Sequence, residues 1–265
     1  MSTLIHKSPP AWLEQVKDLR PGQGRRISDA KRASFNGKSY FLWDFREKEG
    51  EVWEPTLSLA EKLAIRKQMQ EAVFQATQAP GLPRPRQEVP RDWPAEARVW
   101  LHKAHLSNDD IVGMGAYWNA AMHRVVLPLT MLDGSDAWLA RSVSREHQPK
   151  YIFPKGWHRG GGALVDGAGR TLVITEDYLS AYRIAQATGR PALALMGTTI
   201  NQDSVSYVVN AYEEVVLWLD GDKAGKDGSI NLRRAFGMFD IGIKVITTIK
   251  DPKLLSDYEI VEKLL

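Results

Sequence analysis

The sequence predicts an α/β protein in which a parallel, helix-covered sheet follows a basic α+β region and a small β-rich segment. From residue 171 onward, short apolar runs alternate with helical patterns of about 10–14 residues, which indicates a parallel sheet with helices on both faces. Near the N-terminus, the turn signal Asn36-Gly37 predicts a hairpin between residues 33–35 and 40–43. Residues 79–95 contain five prolines and no periodic core face, which indicates a linker or an extended arm.

The composition limits the class of protein. The chain has 265 residues, of which 43% are hydrophobic and 25% charged, as in a globular protein of one large domain or two ordinary ones. It has no cysteine, which excludes disulfides and any cysteine-ligated zinc or iron–sulfur centre. No apolar run reaches the roughly 18–20 residues of a membrane span, and the first residues lack the pattern of a signal peptide. We therefore expect a cytoplasmic protein with no membrane partner.

The formal net charge of +3 is unevenly distributed. Residues 1–106 contain 18 lysines and arginines against 13 acidic residues, whereas the remainder contains 17 against 19. A basic front half suggests an anionic partner and an acidic rear half suggests a cation. Taken alone, this uneven charge distribution is explained equally well by chance differences in the charged residues of a solvated surface.

Acidic residues follow three of the predicted parallel strands. Glu176 ends the first strand, Asp220 and Asp222 follow the third, and Asp251 follows the fourth. Right-handed crossovers place the carboxyl ends of these strands at one edge of the sheet, where ligands bind. Oxygen ligands without histidine or cysteine are those that Mg²⁺ and Mn²⁺ prefer. The four acids therefore predict a divalent-metal site.

An ordinary acidic turn is the alternative for the Asp-Gly-Asp stretch taken alone. The recurrence of acids at successive strand ends favours metal binding, which would screen the carboxylates and stabilise a phosphoryl transition state. Gly225 and Gly228 predict a slim loop that a phosphate could approach. Lys223 either meets such a phosphate or pairs with Asp227.

Four stretches of the chain resemble the Toprim domain, the module shared by topoisomerases and primases. They are, in chain order, VITEDYLSA, LALMGTTI, VVLWLDGDKAG and KDPK. The resemblance is to DNA primases of bacteria and bacteriophages, which share a Gly-Thr (residues 197–198) and a late Lys-Asp-Pro (residues 250–252). The stretch from HRVVLPLTML to QPKYIFPKGW looks like the basic subdomain before Toprim in those enzymes. Short loops favour the phage replication primases, and the resemblance covers residues 95–258.

This resemblance implies template-directed synthesis of short RNA primers from ribonucleoside triphosphates on single-stranded DNA. It implies that Glu176, Asp220 and Asp222 are catalytic and hold Mg²⁺ or Mn²⁺ together with Asp251.

Phosphate-bearing substrates need cationic contacts, and aromatic rings between those cations stack on bases. The nucleotide- and template-binding residues would be Arg124, Arg141, Lys150, Tyr151, Lys155 and Lys223. The chain has no nucleotide-binding loop of a helicase motor, but because phage primases are often fused to a helicase, the resemblance implies a replicative helicase as a further partner.

The chain departs from this family in the segment after the first strand. Family members carry Glu-Gly-x-x-Asp there, whereas here Asp177 replaces the glycine and Ser180 replaces the second acid. Glu176 is retained, so one metal ligand stays expected and a supporting one is in doubt.

A second departure concerns the N-terminal zinc ribbon of such primases. The corresponding segment here has no cysteine, so no zinc is expected. We expect a metal-free, ribbon-like relic in which four aromatic residues replace the metal: Phe41, Trp43, Phe45 and Trp53. Its basic residues would still contact nucleic acid, unless they form only a solvated face. These residues are Arg25, Arg26, Lys31, Arg32 and Lys38.

We therefore divide the chain into four segments. They are the ribbon-like relic at 1–57, a helix and proline-rich linker at 58–94, the basic subdomain at 95–170 and the Toprim domain at 171–265. Two alternatives to the primase stay open. One is a Toprim metal-dependent nuclease, which would use the same acids. The other is a non-catalytic, nucleic-acid-binding replication accessory protein that lost its activity along with the zinc site.

Overall fold

The computed structural model describes residues 3–20, 22–36, 39–55, 59–78, 81–144, 147–157 and 160–265. They divide into two compact units. The first unit comprises Met1–His102, Ser107–Pro128 and Trp138–Lys155, and the second comprises Lys103–Leu106, Leu129–Ala137 and Gly156–Leu265. No helix in the described ranges combines the length and the apolar character that crossing a membrane requires.

The first unit begins with a five-stranded sheet. Its strands are β1 (Thr3–His6), β2 (Gln23–Arg26), β3 (Lys31–Phe35), β4 (Tyr40–Asp44) and β5 (Glu49–Trp53), in the spatial order β1-β5-β4-β3-β2. Strand β1 is parallel to β5, and the other neighbours are antiparallel. The predicted hairpin is confirmed, since Phe35 pairs with Tyr40 and Ala33 with Leu42. Gly37 and Lys38 at its turn lie outside the described residues.

One face of this sheet holds the small core of the segment. Leu13, Val16 and Leu19 pack there against Ala33, Phe35, Tyr40 and Leu42. Of the four aromatic residues expected to replace zinc, only Trp53 packs against this core. Phe41 and Trp43 stack on each other on the opposite face, because alternate residues of a strand point to opposite faces. Phe45 is 43% exposed, so this part of the prediction is wrong.

Helices and short strands complete the first unit. They are α1 (Leu59–Gln78), α2 (Ala95–His102), α3 (Asn108–Gly113), β6 (Tyr117–Asn119), β7 (Arg124–Met131), β8 (Asp136–Ser142) and β9 (Tyr151–Ile152), of which β7 and β8 have residues in both units. Strand β6 is antiparallel to β7, and β9 is antiparallel to β8. The predicted helix after the N-terminal sheet is confirmed as α1, although Ser58 of its expected cap lies outside the described residues.

The second unit contains the predicted parallel sheet. Its elements are β10 (Ala163–Val165), β11 (Thr171–Thr175), α4 (Tyr178–Thr188), β12 (Ala192–Ala194), α5 (Gln202–Ala211), β13 (Glu214–Leu217), α6 (Lys223–Phe236), β14 (Gly242–Val245) and α7 (Asp257–Leu264). The spatial order is β14-β13-β11-β12-β10. The first four strands are mutually parallel, and β10 runs antiparallel to β12.

Both faces of this sheet are buried, which explains why its strands are continuous apolar runs. Leu172 and Ile174 of β11 join the core formed with α5 and α6, where Val208 and Phe236 are fully buried. Val173, which points to the other face, is fully buried as well, and α4 packs against β10, β11 and β12. The helices therefore cover both faces of the sheet. Its carboxyl edge is where side chains that are not part of the core can lie.

Candidate active site

The register of the parallel strands brings their carboxyl ends together. Ile174, the second-last residue of β11, pairs with Leu217 at the end of β13, which pairs with Val245 at the end of β14. Glu176 directly follows β11 and is partly buried. Its main-chain oxygen accepts a hydrogen bond from the N–H of Gly197 at 3.2 Å, so the Gly-Thr stretch after β12 lies at the same edge. The predicted convergence of these loops is therefore confirmed.

Two buried residues, Trp218 and Leu219, separate β13 from Asp220. The turn that follows is tightly packed, because a Cβ on Gly221 would overlap the main-chain oxygen of Thr248. Asp222 then caps α6, with its Oδ1 accepting from the N–H of Gly225 at 2.8 Å. The Asp222 carboxylate and the main chain of this turn thus have fixed positions.

The expectation of a slim loop at Gly225 and Gly228 is wrong. Both glycines are buried in the first half of α6, which begins at Lys223. A Cβ on Gly225 would overlap the main-chain oxygen of Asp220, and one on Gly228 would lie 2.7 Å from Cβ of Thr198. These glycines therefore let α6 pack closely against the loops that carry the acids.

Two carboxylate oxygens at this edge are buried without a hydrogen-bond partner in the described part of the chain. They are Oε2 of Glu176 and Oδ1 of Asp220. Burial raises the pKa of Asp220 to about 7, opposed by the charge of Lys253 and assisted by neighbouring acids. Burial also raises the pKa of Glu176, and the charge of Asp222 adds to this effect. Both groups would be stabilised in the ionised form by a nearby cation.

Lys253 already supplies one positive charge to these acids. Its Nζ lies 2.9 Å from Oδ2 of Asp177 and 2.7 Å from Oδ2 of Asp251. Asp177 also caps α4, with Oδ1 accepting from the N–H groups of Leu179 and Ser180. The sequence pattern assigned no role to Lys253, although it lies in the KDPK stretch. Asp177 and Asp251 are thus paired with Lys253, whereas Oε2 of Glu176 and Oδ1 of Asp220 have no partner in the ranges that the structure describes.

The acids fit a divalent cation in part. Two buried carboxylate oxygens that lack donors, beside further acids, are an all-oxygen set of the kind that Mg²⁺ and Mn²⁺ prefer. Among the described residues, however, no group of three or more acids and histidines is arranged to enclose a metal ion. Glu176 and Asp220 are therefore the residues best suited to hold such an ion, with Asp222 near enough to raise the pKa of Glu176.

The predicted nucleotide- and template-binding residues of the first unit differ in their surroundings. Arg124 is buried, and its two terminal nitrogens donate to the main-chain oxygens of Lys150 and Pro149, at 3.2 and 2.7 Å. It therefore holds the loop before β9 in place. Lys150 and Lys155 are exposed, and the main-chain N–H of Lys155 donates a hydrogen bond to the main-chain oxygen of Thr77 at 2.9 Å.

Arg141 lies in a stack of aromatic and cationic side chains. The carbon at the centre of its guanidinium is 4.2 Å from the ring centroid of Trp100 and 5.6 Å from that of Tyr151. Lys150 Nζ lies 5.1 Å from the same Tyr151 ring. Trp100 was missed at the sequence level because it lies on α2, far along the chain from its partners. This arrangement offers both charge and ring surface to a nucleic acid.

The remaining predicted cations are paired with acids. Lys223 pairs with Asp227 at 2.9 Å, which is the second of its two predicted alternatives. Ion pairs also engage the predicted N-terminal contacts: Arg25 with Asp18, Arg26 with Asp29, Lys31 with Asp44 and Arg32 with Asp92. Arg25 and Arg26 are exposed, and exposed pairs are weak enough for a phosphate to replace the acid. Lys38 lies outside the described residues.

Comparisons with known proteins agree with this geometry. Residues 170–247 match the family model of the Toprim domain. The chain is 21% identical over 252 residues to a DNA primase of Haemophilus influenzae, covering 86% of this chain and 42% of the relative. It is 28% identical over 149 residues to a DNA primase of Clostridium acetobutylicum, covering 52% of this chain and 25% of the relative. The chain thus spans less than half the length of these curated relatives.

Solved structures of primases have a similar fold. A DnaG primase catalytic domain bound to single-stranded DNA covers 76% of this chain, and the chain covers 79% of it, with 17% identity and a TM-score of 0.51. The RNA polymerase domain of the Mycobacterium tuberculosis primase covers 78% of this chain, and the chain covers 83% of it, with 16% identity and a TM-score of 0.51. The chain is therefore similar to bacterial DNA primases, with the fold of their catalytic core and a Toprim match at residues 170–247.

Proposed function

We propose that this chain is the RNA polymerase part of a DNA primase, which synthesises short RNA primers on single-stranded DNA. One observation carries the proposal. Glu176 and Asp220 each present a buried carboxylate oxygen that has no hydrogen-bond partner among the described residues, at the carboxyl edge of a sheet that matches the Toprim domain. Ligands bind at this edge in open α/β sheets, and carboxylates there are suited to phosphoryl transfer.

In this function the acids at the carboxyl edge catalyse the addition of a ribonucleotide to the 3′ end of the primer. The 3′-hydroxyl of one ribonucleotide attacks the α-phosphorus of the next, the hydroxyl loses its proton, and pyrophosphate leaves. Glu176, Asp220 and Asp222 are the catalytic acids, and they would hold Mg²⁺ or Mn²⁺. When bound, such an ion supplies positive charge to the transferred phosphoryl group. The protein's own contribution is to hold the main chain of Asp220 through the close packing of Gly221 and Gly225, and the Asp222 carboxylate through the cap of α6.

The first unit supplies contacts for nucleic acid. The stack of Trp100, Arg141, Tyr151 and Lys150 combines ring faces with two positive charges, as in proteins that bind single strands. A DnaG catalytic domain of the same fold has been solved with single-stranded DNA, which supports this partner. Lys155 and the exposed N-terminal arginines Arg25 and Arg26 add phosphate contacts, whereas buried Arg124 supports the loop that carries Lys150.

The proposal extends to the setting of the protein. The chain would act in the cytoplasm, beside a replicative helicase, in a bacteriophage or similar replicon. Its four segments would be those at 1–57, 58–94, 95–170 and 171–265. The first of them would work without zinc, because the chain contains no cysteine.

The test is direct synthesis of primers. The protein is mixed with single-stranded DNA, four ribonucleotides of which ATP or GTP is labelled, and Mg²⁺ or Mn²⁺, and the products are separated on a sequencing gel. We expect a ladder of short products whose sequence depends on the template. Cleavage of the DNA without a ladder would favour a Toprim nuclease. DNA binding without either product would favour a replication accessory protein, and both outcomes would overturn the proposal.

A further inference from the structure

Lys253 lies in an unusual position for a lysine, between two carboxylates and largely shielded from water. Its side chain is only 20% exposed, and its ammonium contacts Asp177 at 2.9 Å and Asp251 at 2.7 Å. Ion pairs of solvent-exposed side chains contribute little, but a pair this shielded has a fixed geometry and a stronger Coulomb interaction.

The partners of Lys253 are themselves held in place. Asp177 accepts hydrogen bonds from the Ser180 hydroxyl at 2.7 Å and from two main-chain N–H groups at the start of α4. On the other side, buried Pro252 precedes the lysine and begins the short 3-10 helix Pro252–Leu254. The ammonium therefore bridges the start of α4 and the loop after β14 at a fixed point.

This bridge divides the acids into two groups. Asp177 and Asp251 share the ammonium of Lys253, whereas Oε2 of Glu176 and Oδ1 of Asp220 are buried and have no hydrogen-bond partner within the described ranges. We propose that Lys253 is a built-in counter-ion that takes the place of one divalent cation and leaves Glu176 and Asp220 to hold a single one. The inference rests on the proposed function, because that function assigns these acids to metal binding.

Electrostatics gives the reason. A second divalent ion beside Asp251 would have to displace the ammonium or lie next to it, and like charges at such distances repel strongly when partly buried. Lys253 therefore acts as a positioning residue, since it sets how many ions bind and holds Asp177 and Asp251 apart from them. This makes the number of bound ions, rather than activity, the quantity to measure.

The experiment is a titration of the full chain with Mn²⁺, followed by electron paramagnetic resonance of the free ion. The variant is Lys253→Met, which keeps the length of the side chain and removes its charge. Lys250→Met is the matched control, because Lys250 is an exposed lysine of the same loop. We expect one Mn²⁺ per chain for the unaltered protein and for the control, and a second Mn²⁺ for Lys253→Met. Two ions in the unaltered protein, or one in Lys253→Met, would overturn the proposal.

A second variant keeps the proposal testable if Lys253→Met does not fold. Asp251→Asn leaves an acceptor for the ammonium and removes the charge of Asp251. We expect its Mn²⁺ affinity to stay within about threefold of that of the unaltered chain, because Asp251 is not a ligand of the single ion. A loss of about tenfold or more would show that Asp251 is a ligand and would contradict the proposal.

Failure of the proposed function has a different signature. If Asp220→Asn binds Mn²⁺ as tightly as the unaltered chain does, the assignment of the acids to metal binding fails and the inference fails with it. If Asp220→Asn loses Mn²⁺ but the unaltered chain makes no primers, the counter-ion proposal stands on the titrations while the primase assignment fails.

Discussion

The indole nitrogen of Trp118 donates a hydrogen bond to the main-chain oxygen of Gly22 at 2.6 Å, joining the start of β2 to strand β6. Gly22 has a φ of +84°, which disfavours any residue with a Cβ. A Cβ there would also lie 2.7 Å from the main-chain oxygen of Ala120. The contact therefore requires glycine for two separate reasons, and it anchors the N-terminal sheet within the first unit.

We predict that Gly22→Ala lowers the free energy of unfolding by about 2–4 kcal/mol, the sum of backbone strain and close contact. Urea unfolding followed by tryptophan fluorescence measures this change. Gly81→Ala is the control in the same unit, since Gly81 has a φ of +78° and open space around it. The control should lose only about 1 kcal/mol. Equal losses in the two variants would show that the contact with Ala120 has no effect.

Asp222 has a structural and a chemical role that two substitutions separate. Its carboxylate caps α6 through the N–H of Gly225 at 2.8 Å. Asparagine caps a helix about as well as aspartate does, whereas alanine does not. We predict that Asp222→Ala loses about 1 kcal/mol of stability and Asp222→Asn almost none, while both lose primer synthesis. Thermal unfolding and the gel assay give the two readouts, and an active Asp222→Asn variant would contradict a catalytic role.

The sheet and its acidic edge could be predicted because their signals are local and periodic. Each parallel strand is a short apolar run, and each acid stands directly after one. The start of α6 was missed, since glycine disfavours helices and the KAGKDG stretch has the composition of a loop. Close packing overrides that preference, because Gly225 is the residue that lets α6 approach the main chain of Asp220.

Contacts between residues far apart in sequence could not be predicted from one sequence. Lys253 meets Asp177 across 76 positions, and nothing in either local pattern connects them. The same holds for Trp100 and Arg141, which come from α2 and β8. For Arg124, the resemblance implied a binding residue, whereas the structure shows it buried and donating to two main-chain oxygens, which gives it a supporting role in the fold.

The buried position of Asp220 leads us to expect that Asp220→Asn raises the free energy of unfolding by an amount that depends on pH. Burial raises the pKa of this carboxyl to about 7, well above its ordinary value of 3.8. An acid whose pKa is higher in the folded state binds more protons there, so its ionisation destabilises the fold as pH rises from about 4 to 7. We predict that Asp220→Asn raises the free energy of unfolding of the metal-free protein by on the order of 1 kcal/mol at pH 8.

The measurement is urea unfolding with a chelator present, at pH 8 and pH 5. At pH 5 the folded carboxyl is mostly protonated, so the advantage of Asp220→Asn should be much smaller. Asp203→Asn is the control, because Asp203 is an exposed acid near the start of α5 in the same unit. A gain that is the same at both pH values would argue against ionisation of Asp220 as its cause.

The stack of Arg141 on Trp100 predicts how single-stranded DNA binds. The guanidinium lies 4.2 Å from the Trp100 ring and so combines a positive charge with an ordered ring surface. We predict that Arg141→Ala and Trp100→Ala each weaken binding of a thymidine oligonucleotide by about 1–3 kcal/mol, with the double variant losing less than the sum. Fluorescence anisotropy at several salt concentrations measures this.

Arg141→Ala should also reduce the salt dependence by about one phosphate contact, whereas Trp100→Ala should leave it unchanged, because only arginine carries charge. Val99→Ala, at an exposed neighbour on α2, should bind normally, and equal salt dependence in both stack variants would contradict the division between charge and stacking.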